Sequence, residues 1–99
     1  HLAWVGAGTP TEPALYARLA AEGFDVYRWT DAPGAHYEPH THDEDETLWV
    51  LAGEITFEIA GRAYRLGPGD RLQLPAGTVH AATAGTGGAT YLIGELARR

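Results

Sequence analysis

Residues 34–53 read GAHYEPHTHDEDETLWVLAG, a segment bounded by glycine at both ends and carrying two histidines two positions apart. In an extended strand the side chains at i and i+2 leave the same face, so the imidazoles of His40 and His42 can reach one point. Glu46 stands four residues beyond His42, at the head of the run ETLWVLA, and a turn through Asp43, Glu44 and Asp45 brings it beside the pair. A second stretch, residues 69–80, reads GDRLQLPAGTVH and ends on His80, next to the short side chains of Ala81 and Ala82. An imidazole beside alanines has room around it and little to pack against. Three neutral imidazoles with one carboxylate suit Zn, Fe, Mn, Ni or Cu and leave positions open for water, oxygen or substrate. A His-x-His pair on an acidic loop is also a common solvated feature, so these residues taken singly leave both readings standing.

Outward from this segment, the chain after Gly23 is a succession of short runs punctuated by Gly or Pro. They are FDVYRWT, AHYEPHTH, ETLWVLA, EITFEIA, RAYRL, DRLQLP, TVHAATA and ATYLIGE. Eight runs in about 72 residues is the density of a barrel or sandwich and predicts an all-β fold. Ile55, Phe57 and Ile59 alternate with Thr56 and Glu58, as a strand with one buried face does. Gly53 and Gly61 are expected to close hairpins, Gly67-Pro68-Gly69-Asp70 to form a turn, and AGTGGA at 84–89 to form an exposed flexible loop. Ahead of the strands, TEPALYARLAAEG at 11–23 predicts one short helix over about residues 12–22, with Thr11 as N-cap, Pro13 in the first turn and Gly23 past the end. Its packing face is Leu15, Tyr16, Leu19 and Ala20. The 99 residues make one expected domain, with the barrel over about residues 24–95.

Composition removes whole classes of chemistry. The sequence holds no Cys, Met, Ser, Lys or Asn, so serine and cysteine nucleophiles, lysine Schiff bases, disulfides and thiolate metal sites are all absent. Five His, thirteen carboxylates, five Tyr and seven Arg remain, a set suited to oxygen and nitrogen metal ligation or to acid–base work. A formal net charge of −6 argues against a nucleic-acid partner. No apolar run approaches the roughly 20 residues of a membrane span, so the expectation is no membrane partner and a cytoplasmic location. His1 is given no function.

Spacing then decides between the two readings of the histidines. The first segment runs Gly34, five residues, His40, one, His42, three, Glu46, six, Gly53; the second runs Gly69, five, Pro75, one, Gly77, two, His80. Together they resemble the two signature motifs of the cupin superfamily. That resemblance implies a jelly-roll-like β-barrel with a short N-terminal helix added, and a divalent transition metal on His40, His42, Glu46 and His80. One position departs from the family pattern, because the second motif commonly closes on Asn where this chain has Ala84; that residue is not a ligand, and the change bears on the local turn.

Around such a centre, Leu48, Val50, Phe57, Ile59, Leu72, Leu74 and Ala82 share inward parity and predict an apolar wall suited to a small ligand. His36 and Glu38 share the parity of His40 unless Pro39 introduces a bulge, and with Tyr91 they are the candidate catalytic side chains. Trp49, Trp4 and Trp29 are expected to pack the helix, the outer sheet or a partner subunit. The resemblance implies a metal-dependent enzyme acting on a small organic substrate, with dioxygenase-type chemistry ahead of isomerase or lyase chemistry. A non-catalytic ligand-binding or sensing module with a structural metal is the competing class. Exposed edge strands and the apolar run LAWVGAG near the N-terminus call for cover, and the resemblance to small cupins implies a homodimer.

Overall fold

A computed structural model describes residues 11–96. The elements are α1 (Glu12–Ala21), β1 (Asp25–Asp31), β2 (His36–His40), β3 (Asp45–Ile59), β4 (Arg62–Leu66), β5 (Arg71–Leu74) and β6 (His80–Leu96). All pairings are antiparallel, in the order β1-β6-β3-β4, with β2 also on β6 and β5 also on β3. The all-β expectation is met, and the helix begins after Thr11, whose backbone is extended although its hydroxyl makes no cap bond.

The expected eight strands are six, because two pairs of runs fuse. ETLWVLA and EITFEIA form the single strand β3, and TVHAATA and ATYLIGE form β6. Gly53 therefore closes no hairpin, and residues 84–89 are no loop. Both lie in strands that pair along their length, with register shifts at Val50/Ala52 and at Gly53/Ile55. Gly53 has φ +74, and a Cβ there would lie 2.1 Å from the Gly88 carbonyl oxygen. Close backbone approach and left-handed φ are what glycine permits, so these two strands bend together where a hairpin and a loop were expected. The bulges also exchange faces. Inward positions are even up to Val50 and odd from Ile55 in β3, and even up to Ala84 and odd from Ala89 in β6.

The inward face makes one core. Leu48, Val50, Phe57, Leu72, Leu74 and Ala82 are buried in it, and Ile59 packs against it, as the parity predicts. Ala84 is in the same core and its N–H donates to Ala35 O at 2.8 Å, so the position that departs from the motif sits in a strand and needs no turn support. Outside the barrel, Leu15 and Leu19 of α1 are fully buried against Trp49 and Leu92, while Tyr16 is half exposed and Ala20 exposed, contrary to the expected four-residue face. Trp49 packs the helix as expected, and Trp4 lies outside the described residues. An ion pair between buried Arg71 and the partly exposed Glu22 fastens the helix end. The Arg71 guanidinium donates to both carboxylate oxygens of Glu22 (3.2 and 2.6 Å) and to Thr47 Oγ1 (2.7 Å), and stacks over the Trp49 ring. No helix among the described residues is long and apolar enough to cross a membrane.

Candidate metal centre

Each imidazole arrives by a different local device. In β2, Tyr37 pairs with Ala82 and His40 with His80, and the register shifts between them, so Pro39 sits in a bulge that brings Tyr37 and His40 to the same inner face. His42 follows just beyond the strand. His80 opens β6 after the turn Pro75-Ala76-Gly77-Thr78, in which Thr78 N donates to Pro75 O at 3.1 Å. Gly77 takes φ +81 in this turn. The turn is tied to the opposite side of the site, because Gly77 N donates to His42 O at 3.0 Å and Ala76 N to Asp45 Oδ1 at 2.7 Å.

The result is a cluster. One ring nitrogen from each of His40, His42 and His80 lies within 4.8 Å of the other two, and the ring centroids are 4.4 to 5.3 Å apart. Backbone carbonyls hold two of the rings: His40 Nδ1 is 2.6 Å from Glu38 O, and His80 Nδ1 is 3.0 Å from Thr78 O. A carbonyl only accepts, so both Nδ1 atoms carry the proton and both Nε2 atoms present lone pairs. Anchoring one ring nitrogen so that the other is free is the usual support of a metal-binding histidine. Burial lowers the pKa of His80 and keeps it neutral, the form that ligates. Glu46 is buried at the head of β3, its Oε1 3.6 Å from His42 Nε2, and burial raises its pKa. Glu46 stands beside the triad and outside its tight nitrogen set. Three convergent imidazole nitrogens with a carboxylate at their edge fit a divalent transition ion.

The triad and Glu46 line a cavity of about 280 Å³. Leu48, Phe57, Ala82 and Ile93 supply apolar wall, and Trp29, Tyr37 and Tyr91 line it as well. His36 and Glu38 are not among the lining residues. His36 is exposed, with Nδ1 2.8 Å from Thr83 Oγ1 and Nε2 3.4 Å from Glu38 Oε1, because the Pro39 bulge turns the two side chains outward. Trp29 also differs from expectation. It pairs with Tyr91 in the β1–β6 ladder and faces the cavity mouth, 49% exposed, with Nε1 donating to Asp31 Oδ1 at 2.8 Å. Sequence reasoning missed Tyr37 and Asp31, although strand parity along β1 places Asp31 on the same face as Trp29.

The family model of the cupin domain matches residues 27–93. The chain is a cupin. Among curated proteins, this cupin is 43% identical over 64 residues to the dimethylsulfoniopropionate lyase DddQ of Ruegeria pomeroyi. Those residues are 64% of this chain and 32% of the relative, so the cupin spans about a third of that protein's length. The solved structure of the same lyase superposes with a TM-score of 0.69 at 30% identity, over 76% of this chain and 39% of the other. KdgF from a Halomonas species superposes with a TM-score of 0.68 at 27% identity, over 77% and 72% of the two chains. A cupin-like protein of Thermotoga maritima gives 0.67 at 25% identity, over 75% and 57%.

Proposed function

We propose that this cupin is a metal-dependent enzyme whose divalent transition ion is held by His40, His42, His80 and Glu46 and whose substrate is a small organic molecule bound in the adjoining cavity. The observation that carries the reading is the convergence of three imidazole nitrogens within 4.8 Å in the wall of that cavity. When bound, such an ion supplies Lewis acidity to a carbonyl or carboxylate oxygen of the substrate. The chain's own residues do the rest. Glu38 O and Thr78 O fix two imidazole rings, so the ligand directions are set before substrate arrives. Leu48, Phe57 and Ala82 give the cavity an apolar wall, beside which the charge of a bound ion is less screened than in water. With no Lys, Cys or Ser in the chain, proton transfer falls to carboxylate, imidazole or phenol groups.

Lyase chemistry is the first reaction class to test, because the relative that is 43% identical over 64 residues is named a lyase. Dioxygenase-type chemistry is the second reading, favoured by the apolar wall of Leu48, Phe57 and Ala82. We take the protein to act in the cytoplasm as a homodimer of single cupin domains, a state that size-exclusion chromatography with light scattering reads directly.

The test is metal content by plasma mass spectrometry of the wild type and of His42→Ala, together with proton NMR of dimethylsulfoniopropionate and oxygen uptake with small organic acids. Near-stoichiometric metal in the wild type, its loss in the variant, and turnover that follows the metal are the expected results. Metal present without turnover of any substrate class would favour the sensing-module reading. No metal in either protein would overturn the proposal.

A further inference from the structure

Asp31 is a carboxylate only 5% exposed, and three side chains donate to it. Trp29 Nε1 and the Tyr37 hydroxyl reach Oδ1, and the Tyr91 hydroxyl reaches Oδ2 at 2.6 Å. All three donors line the same cavity as the histidine triad, and Asp31, which does not line it, stands behind them. The chemistry of the hydroxyls follows from this arrangement. A carboxylate only accepts, so the protons of Tyr37 and Tyr91 are committed to Asp31 and neither phenol has one left to offer. What each phenol retains is oxygen lone pairs, made more basic by donation to an anion. The Tyr37 oxygen already accepts from Trp29 Nε1 at 3.2 Å, which leaves Tyr91 Oη as the open acceptor.

The charge of the cavity points the same way. No Lys or Arg lines it among the described residues, while Glu46 lines it and Asp31 backs it. Burial, the Asp31 bond and the nearby charges of Asp31 and Glu46 all raise the Tyr91 pKa, so the phenol keeps its proton. A ligand carboxylate has no protein cation to meet in this cavity, and its only favourable place is the imidazole end, beside a bound dication.

We propose that Tyr91 Oη is a specificity-determining acceptor, and that the cavity takes a small carboxylic acid bearing a hydroxyl or ammonium group, its carboxylate toward the imidazoles and its O–H or N–H donated to Tyr91. Asp31 is the positioning residue that holds the phenol's proton away from the ligand. The inference rests on the metal-dependent reading above.

Calorimetric titration of the zinc-loaded protein with matched probes tests it, using 3-hydroxypropionate against 3-methoxypropionate and 4-hydroxybutyrate against 4-methoxybutyrate. Each ether keeps the oxygen and loses the donor. The alcohol of at least one pair is expected to bind about three- to tenfold tighter, the worth of one hydrogen bond. Tyr91→Phe abolishes the difference. In Asp31→Asn the amide oxygen serves Trp29 and Tyr37, its nitrogen donates to Tyr91 Oη, and the phenol's proton turns to the cavity, so the preference for the alcohol falls or inverts. Should circular dichroism show that Tyr91→Phe does not fold, the Asp31→Asn result decides. Equal affinities within both pairs, no binding by any of the four probes, or an alcohol preference that survives either variant overturns the proposal. A wild type that takes up no zinc overturns the metal reading and this inference with it, whereas zinc uptake without an alcohol preference overturns only the inference.

Discussion

The backbone N–H of Gly77 donates to the carbonyl of His42 at 3.0 Å, so the turn that delivers the third imidazole is bonded to the residue that carries the second. Gly77 holds φ +81 to make that turn, and a Cβ there would meet nothing within 4 Å. Gly61, in the tight turn between β3 and β4, has nearly the same φ (+80) and the same empty surroundings. Gly77→Val and Gly61→Val should therefore cost similar stability, about 1 to 2 kcal/mol each. Only Gly77→Val should lower metal content. Thermal unfolding paired with plasma mass spectrometry separates the two effects, and equal metal in both variants would show that the turn does not set the site.

Gly53→Ala should be far more damaging than either. The added methyl would stand 2.1 Å from a backbone oxygen of the paired strand, and φ is +74 as well. Neither strand can give way without breaking the ladder between β3 and β6, so the loss should be on the order of 3 kcal/mol or more. Urea midpoints read this, and a shift under about 1 kcal/mol would mean that the bend tolerates a side chain.

The Glu22–Arg71 pair predicts a pH dependence of stability. Hydrogen bonds from Arg71 hold the Glu22 carboxyl below its usual 4.5, against the opposing effect of burial. A depressed folded-state pKa contributes stability that is fully present above the unfolded value and is lost as the pH falls through the folded one. Glu22→Gln should thus be destabilised relative to wild type at pH 7, with the gap closing below about pH 4. Urea titrations of both proteins at pH 7 and pH 3 check it; a gap that stays constant would assign the loss to packing.

Leu15→Ala should cost about 2 to 5 kcal/mol, because the side chain is fully buried between the helix and the barrel. Metal content at low temperature should not change, since α1 lines no part of the histidine cavity. Loss of metal in a still-folded variant would show that the helix supports the site.

Much of this molecule was legible in the sequence for physical reasons that can be named. His40, His42 and His80 come together because His40 ends a strand after the Pro39 bulge, His42 follows two residues beyond it, and His80 opens a strand after the turn at Pro75 and Gly77. The inward wall was readable because parity within a short run depends only on the pleat. What failed depended on contacts between distant parts of the chain. Gly53 and residues 84–89 carry turn composition, yet they lie opposite each other, and the ladder between them turns two expected breaks into one shared bend. Asp31 was overlooked since a lone aspartate at a strand end looks solvated, and its three donors come from positions 29, 37 and 91. The outward turn of His36 and Glu38 hinged on a bulge at Pro39 that composition permits without requiring.

The shared bend of β3 and β6 also sorts the strand-borne lining residues of the cavity into two groups. His80, Ala82 and Phe57 hang from the strand halves on one side of it, and Glu46, Leu48, Tyr91 and Ile93 from the halves on the other. The bend at Gly53 thus joins the strand halves that carry His80 to those that carry Tyr91, and only because residue 53 has no side chain do both sets of halves line one cavity.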